Sequence, residues 1–225
     1  MKLARTIVAG AVIVSALLPA VAWARSAYDG SGLELSLDVT RDVSDFEYDN
    51  GSRVDTRYTQ VGARLYETSI PWFQPGLTLG TGWLTPDGDP ALEGLQPNGE
   101  HLGLLLRSDI PLAAGLSLRG HVAWVYHDLS DSSGDTSVSL EWYDLSARAG
   151  MAARLGRVTL EGGATVRSVD GDRRIEGQDT LPFDTRESTG VYARGAVHVD
   201  RTGTVDIRIE SGARDAATVS FRRRF

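Results

Sequence analysis

Residues 116–127 read LSLRGHVAWVYH, an alternation of apolar and polar side chains. Successive side chains of a β-strand point to opposite faces, so a period of two divides this stretch into two sides. The stretch therefore predicts a strand that is apolar on one face and polar on the other. The apolar face carries Leu116, Leu118, Gly120, Val122, Trp124 and Tyr126, and the polar face carries Ser117, Arg119, His121 and His127.

Nine further segments show the same alternation. After residue 24 the chain has no continuous apolar run of about 18 residues, the length that a spanning helix needs. Backbone groups can also be satisfied in hydrocarbon within a closed barrel of tilted strands. We predict an all-β fold, a closed antiparallel up-and-down transmembrane β-barrel of ten strands, with eight as the alternative. The ten segments lie near 33–40, 57–66, 77–83, 101–107, 116–127, 143–151, 158–167, 191–199, 205–210 and 217–225.

The connections between these segments alternate in length. In outer-membrane barrels the loops outside the cell are longer than the periplasmic turns, so both termini are expected in the periplasm. Connections 67–75 and 211–215 break the alternation, which is why eight strands stay open as an alternative. The longer connections lie near 42–53, 85–98, 128–136 and 170–187, and the shorter ones near 111–115, 154–156 and 200–203.

The first 24 residues have the pattern of a cleaved signal peptide. Lys2 and Arg5 precede an apolar stretch over 7–18, and Ala22-Trp23-Ala24 is a small-x-small cleavage site. The apolar stretch is shorter than the roughly 20 residues of a spanning helix. We therefore predict an exported chain whose barrel domain comprises residues 25–225.

Composition narrows the class of partner. Without the signal segment the chain has 21 arginines, no lysine and 30 acidic residues, which is a net charge of −9. Such a chain has no general attraction for nucleic acid. Cysteine is absent, so an exported protein of this sequence folds without disulfides.

Aromatic residues fall at the ends of the predicted strands. Trp and Tyr are enriched where a membrane protein meets the bilayer interface. The outer group is Trp83, Trp124, Tyr126 and Tyr143, and the inner group is Trp72, Phe73 and Phe225.

The signal segment, the alternating strands and the C-terminal pattern Ala217-x-Val219-x-Phe221-x-Arg223-x-Phe225 resemble small Gram-negative outer-membrane β-barrels of the OmpA/OmpX type. The resemblance matches no single family motif. It implies recognition of Phe225 by the barrel-assembly machinery. Arg223 departs from the pattern, since an apolar residue usually precedes the terminal aromatic by two positions.

The polar faces are expected to line the lumen, with all four histidines (His101, His121, His127 and His198) turned inward. Enclosed charges need partners or water, which favours an ion-pair network that fills the bore. The competing hypothesis is a general-base site formed by His121, His127 and Asp144, with Ser130 in the adjoining loop. No motif fixes a nucleophile, so no catalytic, cofactor or metal residues are assigned.

The predicted outer loops are rich in acids, among them Asp128, Asp131 and Asp135. Their spacing differs from that of an EF-hand, which favours a solvated rim over a calcium site. Arg173, Arg174 and Arg186 are candidates for contact with lipopolysaccharide phosphates.

These observations predict a monomer in the cell outer membrane with a structural or surface-interaction role and a lumen filled by polar side chains. Its expected partners are outer-membrane lipids, lipopolysaccharide and the assembly machinery, with no cofactor. Three alternatives remain: a hydrolase acting on lipid A or peptides, a narrow porin-like passive channel, and a soluble periplasmic ligand-binding barrel. In the last case the apolar faces would turn inward.

Overall fold

The computed structural model describes residues 32–49, 51–87, 92, 94–133, 136–185 and 188–225, so the predicted signal segment lies outside the described residues. None of the helical segments within these ranges is long and apolar enough to cross a membrane. The described strands are β1 Leu33–Tyr48, β2 Arg53–Glu67, β3 Gln74–Asp87, β4 Asn98–Ala113, β5 Leu116–Ser133, β6 Thr136–Leu155, β7 Val158–Ile175, β8 Leu181–Thr185, β9 Thr189–His198, β10 Gly203–Ser211 and β11 Asp215–Arg224.

Ten of these strands form a closed antiparallel barrel. Its hydrogen-bonded order runs from β1 through β7 and then through β9, β10 and β11, and β11 pairs with β1 to close the circuit. Closure removes every sheet edge, so each backbone amide in this part of the wall has a neighbour to pair with. The ten-stranded prediction is confirmed.

The strands from β1 to β7 are much longer than the segments found in the sequence. They have 14 to 20 residues each, whereas β9, β10 and β11 have 9 or 10. Residues 42–48, 128–133 and 170–175, which were expected in outer loops, belong to β1, β5 and β7. That expectation was wrong because polar side chains on the outward face of a strand resemble those of a loop.

The short strand β8 closes a second circuit at one end of the barrel. It pairs with β1 at Phe46–Tyr48 and with β7 at Asp170–Arg173, beyond the points where those strands pair with β11 and β9. A ring of eight strands, β1 to β8, thus lies on top of the ring of ten. We call the end of the barrel that carries the ring of eight strands the capped end. The opposite end, where β11 ends, is called the open end.

The apolar side chains change face along strands such as β1 and β7. They point outward near the open end and inward near the capped end. Near the open end of β1, Leu35 and Leu37 point outward while Glu34 and Asp38 are buried inside. Near the capped end of the same strand Phe46 and Tyr48 are buried, along with twelve further residues of one apolar core. On β7 the outward positions likewise pass from Leu160 and Val166 to Ser168, Asp170 and Asp172.

An apolar band therefore encircles the ring of ten strands. Leu37, Leu79, Leu102 and Ile207 are each more than half exposed on its outer surface. The soluble-barrel alternative required these side chains to point inward, so it was wrong. Exposed apolar side chains at every second position, with ionic residues inside, are the arrangement that a hydrocarbon surrounding stabilises.

The Leu79→Arg substitution tests this band. Leu79 lies midway along the outward face of β3 and pairs laterally with Ala63 and Leu102. A charge at mid-depth costs about 2–4 kcal/mol, so we expect loss of the heat-modifiable folded form on gels. Leu155→Arg is the control, because Leu155 ends β6 beside a turn, where the cost is about 0–1 kcal/mol. Equal behaviour of the two variants would contradict a lipid-facing position for Leu79.

Candidate functional site in the barrel lumen

The lumen of the ten-stranded ring is polar. All four histidines line it, as their parity along the strands predicted. The arginines that share their faces, among them Arg148, Arg194 and Arg208, point inward as well. Each strand contributes because the same alternation that places leucines outward places the intervening residues inside.

A buried carboxylate organises the middle of the lumen. Glu210 lies 2.6 Å from Arg148, 2.8 Å from Arg208 and 2.8 Å from Arg214. Arg214 also binds Asp42, at 3.0 Å. The groups come from four different strands or turns, so the network ties opposite parts of the wall together across the bore.

Two further networks occupy the half of the lumen next to the open end. Glu34 on β1 lies 2.6 Å from Arg107 and 3.0 Å from Arg224. Glu161 on β7 lies 2.9 Å from both Arg119 and Arg194. These carboxylates have relative side-chain exposures of 4% and 9%, so each charge is taken from water and balanced by guanidinium groups.

Two cavities lie along the bore. The larger, about 360 Å³, lies at the open end, since it is lined by residues of the β9–β10 turn such as Asp200 and Arg201. The smaller, about 60 Å³, lies nearer the capped end and shares Arg64, His121 and Arg148 with the larger one. More free space therefore lies next to the open end than next to the capped end.

An apolar core fills the bore at the capped end. The Trp142 ring stacks on His127 with centroids 4.5 Å apart, and the Phe46 ring stacks on Phe183 at 4.7 Å. Phe183 belongs to β8, so the strand that completes the upper ring also supplies part of this core. The aromatic core is Phe46, Tyr48, Tyr58, Trp142 and Phe183, packed with Leu84, Leu92, Leu129 and Leu140.

The side chains of the hypothetical general-base site are not brought together in the required way. Arg148 donates to His121 Nδ1 at 2.9 Å, so Nε2 carries the proton and donates to the Tyr66 hydroxyl oxygen at 3.0 Å. His121 therefore has an arginine where a catalytic imidazole needs a carboxylate. Asp144 instead accepts from Arg167 at 3.0 Å.

His127 lies apart from the serine proposed to act with it. Its Nδ1 lies 3.2 Å from the Tyr58 hydroxyl oxygen inside the lumen. Ser130 is exposed and lies three positions further along β5, hence on the opposite face of that strand. Within the described ranges, no three His, Asp or Glu side chains form a group that could hold a metal ion.

The arginines proposed to contact lipopolysaccharide, and the acids of the predicted outer loops, differ in their exposure to solvent. Arg173 is buried, with its guanidinium carbon 4.4 Å from the centroid of the Tyr48 ring, whereas Arg174 is exposed on the outside of β7. Arg186 lies outside the described residues. Among the acids, Asp128 and Asp170 are exposed near the capped end, while Asp135 is also outside the described part of the chain.

The aromatic groups predicted at the strand ends lie on the outer surface. Trp124 and Tyr143 stack with ring centroids 5.4 Å apart, close to the level where the outward face becomes polar. Trp72 is exposed at the open end, as is Phe225, whose N–H donates to the Leu33 carbonyl oxygen at 2.9 Å.

The chain resembles known proteins in its structure and not in its sequence. No protein-family model and no curated protein matches the chain. The structure is similar to the translocator domain of the autotransporter NalP from Neisseria meningitidis, with 14% identity, a TM-score of 0.51 and coverage of 98% of each chain.

Two further solved structures are more distant. An outer-membrane channel from Pseudomonas putida F1 is 13% identical, with a TM-score of 0.43, over 87% of this chain and 96% of that one. The transport unit of the autotransporter AIDA-I from Escherichia coli is 9% identical, with a TM-score of 0.43, over 88% and 91%. At these identities the NalP likeness shows the fold alone. The chain has the fold of an outer-membrane β-barrel.

Proposed function

We propose that this chain is a monomeric integral protein of the outer membrane with a sealed lumen and a structural or surface-interaction role. The observation that carries the proposal is the aromatic core across the capped end. It fills the bore with side chains of β1, β2, β6 and β8, and the ion pairs around Glu210 fill the level below it. A solute crossing the bore would have to displace both.

The capped end is assigned to the cell exterior and the open end to the periplasm. Strands β1 to β7 extend beyond the apolar band only at the capped end, where their outward faces become polar. A wall with a polar exterior and an apolar interior is suited to water. The C-terminal Phe225 then lies on the periplasmic side, where we expect the barrel-assembly machinery to recognise it.

In this proposal the protein works through its surfaces. The apolar band holds it in the membrane, the ion pairs keep the barrel rigid, and the ring of eight strands projects a stable apolar-cored unit from the bilayer. Arg174 is exposed there and lies 3.7 Å from Glu141, so a lipopolysaccharide phosphate would compete with that exposed carboxylate for its guanidinium. Membrane fractionation after an alkaline wash tests the location: the protein is expected in the outer-membrane pellet, and recovery in the wash would contradict it.

A narrow passive channel is the second candidate, and the two cavities in line along the bore favour it. Single-channel recording in planar bilayers separates the two functions. For the sealed barrel we expect no stepwise conductance, because the aromatic core leaves no aqueous path. Heat-denatured protein at the same concentration controls for leakage caused by detergent. Reproducible unitary steps from the folded protein alone would select the channel.

A further inference from the structure

Four arginines at the open end have no ion-pair partner among the residues that the structure describes: Arg154, Arg157, Arg201 and Arg223. They lie on neighbouring strand ends. The His198 N–H donates to the Arg157 carbonyl oxygen at 2.8 Å, and the Arg224 N–H donates to the Thr202 carbonyl oxygen at 3.1 Å. The β6–β7 turn, the β9–β10 turn and the end of β11 are thus side by side.

These four arginines divide into two pairs by position. Arg154 and Arg201 line the 360 Å³ cavity, together with His198. Arg157 and Arg223 are exposed at the same end but do not line it. Arg223 points outward because it shares the parity of Phe221 and Phe225 on β11. The chain therefore contains a pair inside the cavity and a matched pair outside it.

The carboxylates in this cavity are already engaged. Glu34, Glu161 and Asp206 each lie within 3.0 Å of two arginines. Asp109 binds Arg119 at 3.0 Å. Asp200 accepts the Thr202 and Gly203 N–H groups at 2.7 and 2.6 Å, and these bonds lower the pKa of its carboxyl.

The balance of charge leaves the cavity positive. Ten arginines line it against five carboxylates, and with the two carboxylates behind the lining that pair with these arginines, Asp38 and Glu210, the ratio is ten to seven. Concave surfaces lined by one sign of charge concentrate ions of the opposite sign. A guanidinium presents a planar fork of donors that fits two oxygens of a phosphate at once. The cavity volume also lies in the range of small-molecule sites.

We propose that the open-end cavity is a binding site for a small phosphate-bearing solute, with Arg154 and Arg201 as its principal ligands and His198 beside them. The site goes beyond the structural role proposed above: binding needs only the barrel and an accessible open end, and the single route of entry alone rests on the sealed lumen proposed there. Because the bore is closed above it, the solute enters and leaves from the same side.

The test titrates inorganic pyrophosphate into the full-length folded barrel in a nonionic detergent at low salt, with calorimetry as the readout. We expect saturable binding to a single site. The pair Arg154→Gln and Arg201→Gln should weaken it by about tenfold or more, because two charge-assisted contacts are lost. The outside pair Arg157→Gln and Arg223→Gln, which removes the same charge from the same end, should change the affinity by about twofold or less, since neither guanidinium lines the cavity and water and salt screen a charge at a distance.

Other outcomes overturn the proposal. Equal weakening in the two double variants would mean that a diffuse positive rim, and not the cavity, attracts the anion. If the wild-type protein gives no saturable heat with pyrophosphate, the cavity is not a binding site. If succinate binds as tightly as pyrophosphate, the site is not specific for phosphate. Heat-modifiable gel mobility checks folding, and the single exposed-turn variant Arg201→Gln replaces the double variant if that variant does not fold.

Discussion

Replacing Glu210 with Gln is expected to destabilise the barrel by about 3–5 kcal/mol, the cost of breaking a buried ion pair by removing one partner. Arg148 and Arg208 have no other carboxylate within ion-pair distance in the part of the chain that the structure describes. Gln has nearly the volume of Glu, so packing is kept while two guanidinium charges lose their counterion. Urea unfolding of the barrel reconstituted in vesicles measures the change.

Two further variants separate this effect from the loss of an ordinary salt bridge. Glu47→Gln removes a carboxylate that is 3.8 Å from Arg53 on the exposed surface, where the expected change is about 0–1 kcal/mol. Adding Arg208→Gln to Glu210→Gln should recover part of the lost stability, since one uncompensated charge is removed with its partner. A double variant less stable than Glu210→Gln alone would contradict an electrostatic origin.

Trp142→Ala is expected to lower the free energy of unfolding of the capped end by about 3–5 kcal/mol, because a large buried side chain is removed. The Trp142 side chain is almost fully buried and contacts the rings of His127, Tyr58 and Phe183. Truncation leaves a large cavity in the ring of eight strands. Because the apolar band and the ring of ten strands are unchanged, we expect the variant to insert in membranes and to lose stability mainly outside the bilayer.

Protection of the backbone amides measures that distribution. Hydrogen exchange should accelerate in β8 and in the capped ends of β1 and β6, with the membrane-spanning halves unaffected. Trp72→Ala, which truncates an exposed tryptophan at the open end, is the matched control and should leave exchange at the capped end unchanged. Uniform acceleration along all strands would show that the two rings unfold as one unit.

The direction of each side chain in the ring of ten strands could be predicted from the residues alone. Leu35 and Leu37 outward and Glu34 and Asp38 inward follow from the period of two, which fixes the relative faces once hydrocarbon lies outside. The inward position of His121 and His198 follows in the same way. Local alternation was sufficient because each strand carries its own copy of the pattern.

The capped end could not be predicted in the same way. Phe46 and Phe183 are 137 positions apart, and nothing in either segment indicates that their rings stack. Residues such as Asp170 and Asp172 made the end of β7 resemble a loop, since the polar face of a strand in water and a polar loop have similar compositions. A signal was present in the inverted alternation of residues 42–48, where apolar side chains move to the opposite parity.

The ion-pair partners of the charged side chains also could not be predicted from the sequence. Asp144 and His121 lie on adjacent strands, yet Asp144 binds Arg167 while His121 binds Arg148. Which of several inward arginines reaches a given carboxylate depends on the stagger of ten strands around the barrel, a property of the closed wall and of no single strand.

Alternation along the chain was enough to establish strands, an apolar exterior and a polar bore, because each of these depends on neighbours two positions apart. The second ring made by β8, the apolar core at the capped end, and the cavity at the open end with arginines that have no ion-pair partner in the described part of the chain exist only in the folded barrel. They join residues that are far apart in sequence, and the closure of the sheet is what brings those residues to the same level.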